Sequence, residues 1–175
     1  MKAMIPALLC SILICCALQL SCEKDMENLV PEEYLAWEST TDLELNYPIP
    51  GHVEQYRRIY INPRGTEVQR EQQEGRVHHI YPEGTIIIKD IYTGLAPAPD
   101  EKPIKQTVMI KASDHPKSRG SWLWIVKDMK SATETIIDYE LCFDCHANAN
   151  ETHPYGDGNL QGEFRDYVFF PYRVE

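Results

Sequence analysis

Residues 142–146 read Cys-Phe-Asp-Cys-His. Two thiols three positions apart, with an imidazole beside the second, fit C-x-x-C-H, the attachment signature of a c-type haem. The spacing has a chemical reason. Two thiols add to the two vinyl groups of a porphyrin, and the adjacent imidazole then lies under the iron as its axial ligand. Neutral imidazole suits iron, and the two thioethers hold the ring in place. One motif predicts one covalently attached haem c, with Cys142 and Cys145 as tethers and His146 as the iron ligand. Other chemistries use the same residue types. A zinc site usually draws four ligands from two such pairs, and the second pair is missing. A thioredoxin-like pair opens a helix in a βαβ unit, and nothing in the chain reads as βαβ. A plain disulfide between Cys142 and Cys145 stays open.

An iron held from one side has a second axial position. The sequence offers His52, His78, His79, His115, His153, Met109 and Met129, none of them in a motif. Lone histidines in polar stretches are expected at the solvated surface. Met109 alternates with apolar neighbours, as a core residue does. No compelling sixth ligand emerges, which favours an open iron able to bind a small molecule.

The elements that position the motif must come from a chain of 175 residues, 43% apolar and 25% charged. That is a globular composition, long enough for one domain with a genuine core. The net charge of −10, from 27 acidic against 17 basic residues, excludes nucleic acid as a partner, because nucleic acid selects a basic face.

Lys2 precedes an uncharged apolar run over 3–20, closed by Ser21-Cys22 and then Glu23-Lys24-Asp25. A basic start, an apolar stretch and a small residue at the exit make a secretory signal. The pattern resembles a bacterial lipoprotein signal, in which the cysteine after cleavage, here Cys22, carries the lipid. Gln19 stands where such signals usually place Leu. Residues 1–21 are expected to be a signal peptide, and the protein to be exported, periplasmic and lipid-anchored to a bacterial membrane. Ordinary cleavage nearby and an uncleaved anchor are the alternatives, since the run is close to the minimum span of about 18 residues. Four of the six cysteines lie in the first 22 residues, so no disulfide framework can be built.

Residues 22–50 read as a polar tether over 23–30, a short helix from Pro31-Glu32-Glu33 carrying Tyr34, Leu35 and Trp37, and a proline-bearing loop. Residues 51–175 form the remaining domain. Strands are predicted over 57–62, 85–92, 104–112 and 121–127, rich in β-branched and aromatic residues. The last is apolar on both faces, as a strand buried on both sides is. Exposed helix is predicted over 63–75, helix over 131–140, loops over 95–103 and 153–162, and a last strand over 166–172. The fold class is mainly β (α+β), a single antiparallel β-sheet domain with a few short helices.

Ile59-Tyr60-Ile61-Asn62, Gly84-Thr85-Ile86-Ile87-Ile88-Lys89-Asp90, Thr107-Val108-Met109-Ile110-Lys111, Gly120-Ser121-Trp122-Leu123-Trp124, the Cys142 to His146 motif and Asp166-Tyr167-Val168-Phe169 follow one another in that order. The ordered set resembles the cytochrome P-460 family, which includes the β-sheet cytochromes c-prime. The resemblance runs from about residue 57 to 169. It implies a small, mainly antiparallel β fold, often a homodimer, with one c-type haem, proximal His146 and a vacant distal side. One branch of the family is similar to hydroxylamine-oxidising enzymes, where a lysine makes an extra covalent bond to the porphyrin; Lys89 is the matching residue. The other branch lacks that bond, has a more apolar distal pocket, and binds nitric oxide and carbon monoxide.

By pattern alone Lys89 shares a strand face with Thr85 and Ile87, and a lysine at a strand end usually points to water. The enzyme branch uses a carboxylate near the haem motif as a proton acceptor. The matching position here holds Asn148, an amide that cannot act as a base, with Glu151 or His153 as substitutes across a loop. Oxidising hydroxylamine releases protons, so a missing base slows it. Arg57 matches a basic residue of the family's haem pocket, where it would hydrogen-bond a propionate or a bound ligand; its plain reading is a surface arginine at a strand edge. The expected function is an exported mono-haem cytochrome that binds or oxidises small nitrogen species. Its rivals are a six-coordinate electron carrier serving a periplasmic redox partner, and a haem-free β domain with a disulfide.

Overall fold

The β-branched runs become strands. The computed structural model describes residues 28–49, 55–138 and 140–173. In chain order its elements are β1 (Glu38–Ser39), β2 (Gln55–Ile61), β3 (Gln69–Gln73), β4 (Arg76–Ile80), β5 (Ile86–Thr93), β6 (Lys105–Lys111), β7 (Trp122–Asp128), β8 (Glu134–Ile137) and α1 (Glu140–Ala147), with single 3₁₀ turns at Glu32–Ala36, Gly65–Glu67 and Asn148–Asn150. One six-stranded antiparallel sheet has the order β1-β2-β5-β6-β7-β8, and β3 pairs with β4 as a separate hairpin.

Strand periodicity puts alternate residues on opposite faces, and the register aligns like with like. Ile61, Ile87, Met109, Trp124 and Ile137 stand in one row across five strands of the front face. They form a core cluster with Tyr81, Trp122 and Val168. Tyr60, Ile88, Val108, Ile125 and Ile136 make the matching row behind. Val30 and Tyr34 of the N-terminal segment cover it. Each large apolar side chain so buried gains about 1.5–3 kcal/mol, so two rows back to back fix the register of the whole sheet. Trp122 to Ile125 are all buried, which makes β7 the doubly covered strand its composition predicts.

Several expectations fail. The helix predicted over 63–75 is a 3₁₀ turn followed by β3. Every residue of β3 is exposed, so no apolar alternation betrays it. The turn does: Glu74 and Gly75 both have positive φ, 50° and 85°, the geometry of a two-residue hairpin loop. The helix over 131–140 is instead β8, which hydrogen-bonds to β7, and α1 begins only at Glu140. The strand over 166–172 is irregular backbone, because Asp166 and Tyr167 adopt left-handed φ of 50° and 68° and Pro171 lacks an N–H to pair. The tether stops early as well: Val30 is 1% exposed, and the Leu29 N–H donates to Glu134 at 2.7 Å. Residues 1–27, including Cys22, and His52 lie outside the described residues. Among the described residues no helix is long and apolar enough to cross a membrane.

Candidate functional site

On α1 the positions i, i+3 and i+4 share one face. Cys142, Cys145 and His146 have that spacing, and all three line a single cavity of about 340 Å³ against the front of the sheet. Gly120, in the turn before β7, lets the helix approach. Its φ is +60°, and a Cβ there would lie 2.6 Å from the Tyr167 ring and 2.8 Å from the Phe143 ring. Any other residue would be strained at this φ and would force the Tyr167 or Phe143 ring to move.

His146 is oriented from behind. Its Nδ1 lies 2.8 Å from the Tyr167 carbonyl oxygen. A carbonyl only accepts, so Nδ1 carries the proton and Nε2 keeps its lone pair, the state a metal ligand needs. The ring packs edge-on to Trp124 at 4.9 Å and to Phe169 at 5.3 Å between centroids. Burial, with the Lys89 ammonium nearby, holds the imidazole neutral by pushing its pKa down to about 3. Both thiols are free. Burial raises the Cys142 thiol, opposed by Lys89.

Lys89 does not point to water. It pairs in register between Ile59 and Thr107, one step along the front face from the core row, and lines the cavity. Burial, with Arg57 close by, pushes its pKa down to about 8. Arg57 is no surface arginine either, at 3% exposed. Its Nη2 donates to the Tyr47 carbonyl at 2.7 Å, its guanidinium lies over the Tyr47 ring, and its Nη1 is buried without a hydrogen-bond partner. Lys105 completes a trio of cations on the cavity wall, and among the described residues no Asp or Glu lines it. Sequence reading missed Lys105. No pattern in the sequence singles it out, since only the register of the folded sheet puts Arg57, Ile91 and Lys105 in one row. It also missed the Tyr167 carbonyl and Phe169, which no side-chain pattern announces.

The other candidates lie elsewhere. Asn148 is exposed, and its side chain donates to the Cys145 carbonyl. Glu151 is exposed and faces Arg76 at 3.9 Å. His79 is buried rather than solvated, 3.0 Å from Glu163, beside a second, polar cavity of about 310 Å³. His153 is also buried and packs on Phe169. Among the described candidates for a sixth ligand only Met109 lines the main cavity, where it is paired beside Trp124 in the core row.

A haem fits these residues. Two thiols and a neutral imidazole open from one helix face onto one largely apolar cavity, and its cationic wall, with the unpartnered Arg57 Nη1, suits the propionates. The family model described as Cytochrome P460 matches residues 31–170. A search of curated proteins finds no match.

Proposed function

The chain belongs to the cytochrome P460 family, a family of haem cytochromes, and from that premise we propose that it carries a single haem c whose iron keeps one side open to a small nitrogen ligand such as nitric oxide. Cys142 and Cys145 are the tethers, His146 is the axial ligand and Arg57 the partner of a propionate or of the bound ligand. One observation supports an open binding site above the rivals: among the described residues, His146 is the only imidazole lining the cavity, and no carboxylate lines it. A carrier with two axial histidines lacks its second ligand there, and Met109, the one methionine among the described lining residues, stands in the core row beside Trp124. An oxidase that strips protons from hydroxylamine lacks its base.

Haem iron supplies the bond to the ligand and the exchange of an electron, while the protein sets ligation, polarity and access. His146 donates from Nε2 while Tyr167 holds its other nitrogen. The apolar wall excludes water. The position of Lys89 on that wall favours a second reading, in which it is bonded to the porphyrin and the protein oxidises hydroxylamine. The ferrous absorption spectrum separates the two: an ordinary c-type Soret band supports binding, and a strongly red-shifted, broadened one supports the cross-link. In the cell the protein is exported to the periplasm and held at the membrane by a lipid on Cys22, as a homodimer; a periplasmic redox partner belongs to the carrier or the oxidising reading. Metabolic labelling with a tagged fatty acid tests the anchor, since Cys22→Ser should abolish labelling.

A further inference from the structure

Two buried asparagines outside the cavity tie the chain just after α1 to the stretch over 163–167 that reaches His146. The Asn150 Oδ1 accepts the backbone N–H of Arg165 at 2.9 Å and that of Tyr167 at 3.1 Å. The Asn159 side chain donates to the carbonyls of Ala149 at 3.0 Å and Glu163 at 2.8 Å, and accepts the Glu163 N–H at 2.9 Å. Arg76 donates to the backbone carbonyl of Asn150. The stretch so clasped contains the left-handed pair Asp166 and Tyr167. Left-handed backbone is strained at a non-glycine residue and persists only where the surroundings hold it. What the turn delivers is the Tyr167 carbonyl, pointed at His146 Nδ1.

We propose that Asn150 is a positioning residue for the axial ligand: by fixing the Tyr167 peptide it aims the carbonyl that orients His146, and so sets how strongly His146 donates to the iron. The inference rests on His146 being that ligand. An acceptor at Nδ1 raises the basicity of Nε2, and outer partners of this kind tune a metal centre. Without the Asn150 oxygen, the Arg165 and Tyr167 N–H groups lose an acceptor and the strained turn relaxes. The carbonyl withdraws, His146 becomes a weaker donor, and the ferrous state gains over the ferric. Asn159 serves as the internal control. It braces the same segments but bonds Ala149 and Glu163, not Tyr167.

The test uses the purified holoprotein, with resonance Raman of the ferrous state for the iron–imidazole stretch and a dye titration for the reduction equilibrium. The wild type should show one sharp stretching band. Asn150→Leu should lower and broaden it, and move the reduction equilibrium toward ferrous by about tenfold, the lower end of what losing an outer partner costs in metal affinity or activity. Asn150→Asp keeps an acceptor oxygen in place and should restore the band. Asn159→Asp should lower the melting temperature and leave the band where it was. If Asn150→Leu does not accumulate with haem, Asn150→Ser carries the same comparison, because its shorter hydroxyl cannot span both N–H groups. A wild-type band and equilibrium in the folded Leu or Ser variant would overturn the proposal. So would an Asn159→Asp shift as large as theirs. A wild type with no iron–imidazole band at all breaks the five-coordinate reading on which the proposal rests, and the proposal with it.

Discussion

Lys89 and Asp90 are neighbours in the chain and face opposite sides of one sheet, and the two sides handle charge in opposite ways. Behind the sheet Asp90 is buried among donors from this same chain: Gln106 Nε2 at 2.8 Å, the Tyr34 hydroxyl at 3.0 Å and the Tyr92 hydroxyl at 3.4 Å. Farther along that row Lys127 meets Glu134 at 3.0 Å, and the N-terminal segment closes over the apolar part. In front, Lys89, Arg57 and Lys105 surround a cavity whose wall carries no carboxylate among the described residues. The back face is completed by the chain. The front face has the polarity of a surface that something anionic and apolar completes, and a haem is both.

The largest test of that contrast removes the tethers. A Cys142→Ser/Cys145→Ser protein should lose all haem that survives denaturation, seen by haem stain on a denaturing gel, while its far-ultraviolet circular dichroism stays that of the sheet. Loss of the sheet together with the stain would show that the faces are not independent.

A sharper version compares adjacent residues. In that haem-free background Ile88→Ala, behind, should cost about 4 kcal/mol in urea unfolding, and Ile87→Ala, which borders the cavity, about 2 kcal/mol. Equal costs would mean that the front is packed as tightly as the back.

The third test is of pH. Burial holds the Asp90 pKa above the usual carboxylate range, despite the hydrogen bonds from Gln106, Tyr34 and Tyr92. A raised folded value means that its contribution is complete below the unfolded pKa of about 4 and is lost as pH rises through the folded one. Wild-type stability should therefore fall relative to Asp90→Asn as pH climbs from about 4 toward neutrality. Parallel urea midpoints across that window would contradict it. The smallest effect belongs to Lys105→Ala, at the end of the cationic row, which should change stability by no more than about 0.5 kcal/mol. A larger loss in the holoprotein than in the haem-free protein would make Lys105 part of the haem contact.

Much of this was legible in the sequence. The strands β2, β5, β6 and β7 announced themselves because each must bury β-branched or aromatic residues. The Cys142 to His146 motif was legible because its chemistry demands that spacing. β3 was hidden, since an exposed hairpin strand needs no apolar pattern and takes its register from its turn. Lys89 and Arg57 looked solvated because a charged side chain in a strand usually is. Only the rows formed by neighbouring strands show that both look into a cavity. The Tyr167 carbonyl was beyond reach of any pattern, since a left-handed turn at two non-glycine residues is held by Asn150 and by the Asp166 contact to Lys111 at 2.6 Å.

The central claim is that the front face holds a haem on His146 with its other side open. It is tested most directly by the absorption spectrum of the dithionite-reduced holoprotein before and after nitric oxide. The account predicts a five-coordinate, high-spin ferrous spectrum with an ordinary c-type Soret band that changes on adding the gas. A six-coordinate, low-spin spectrum that nitric oxide leaves unchanged would contradict it.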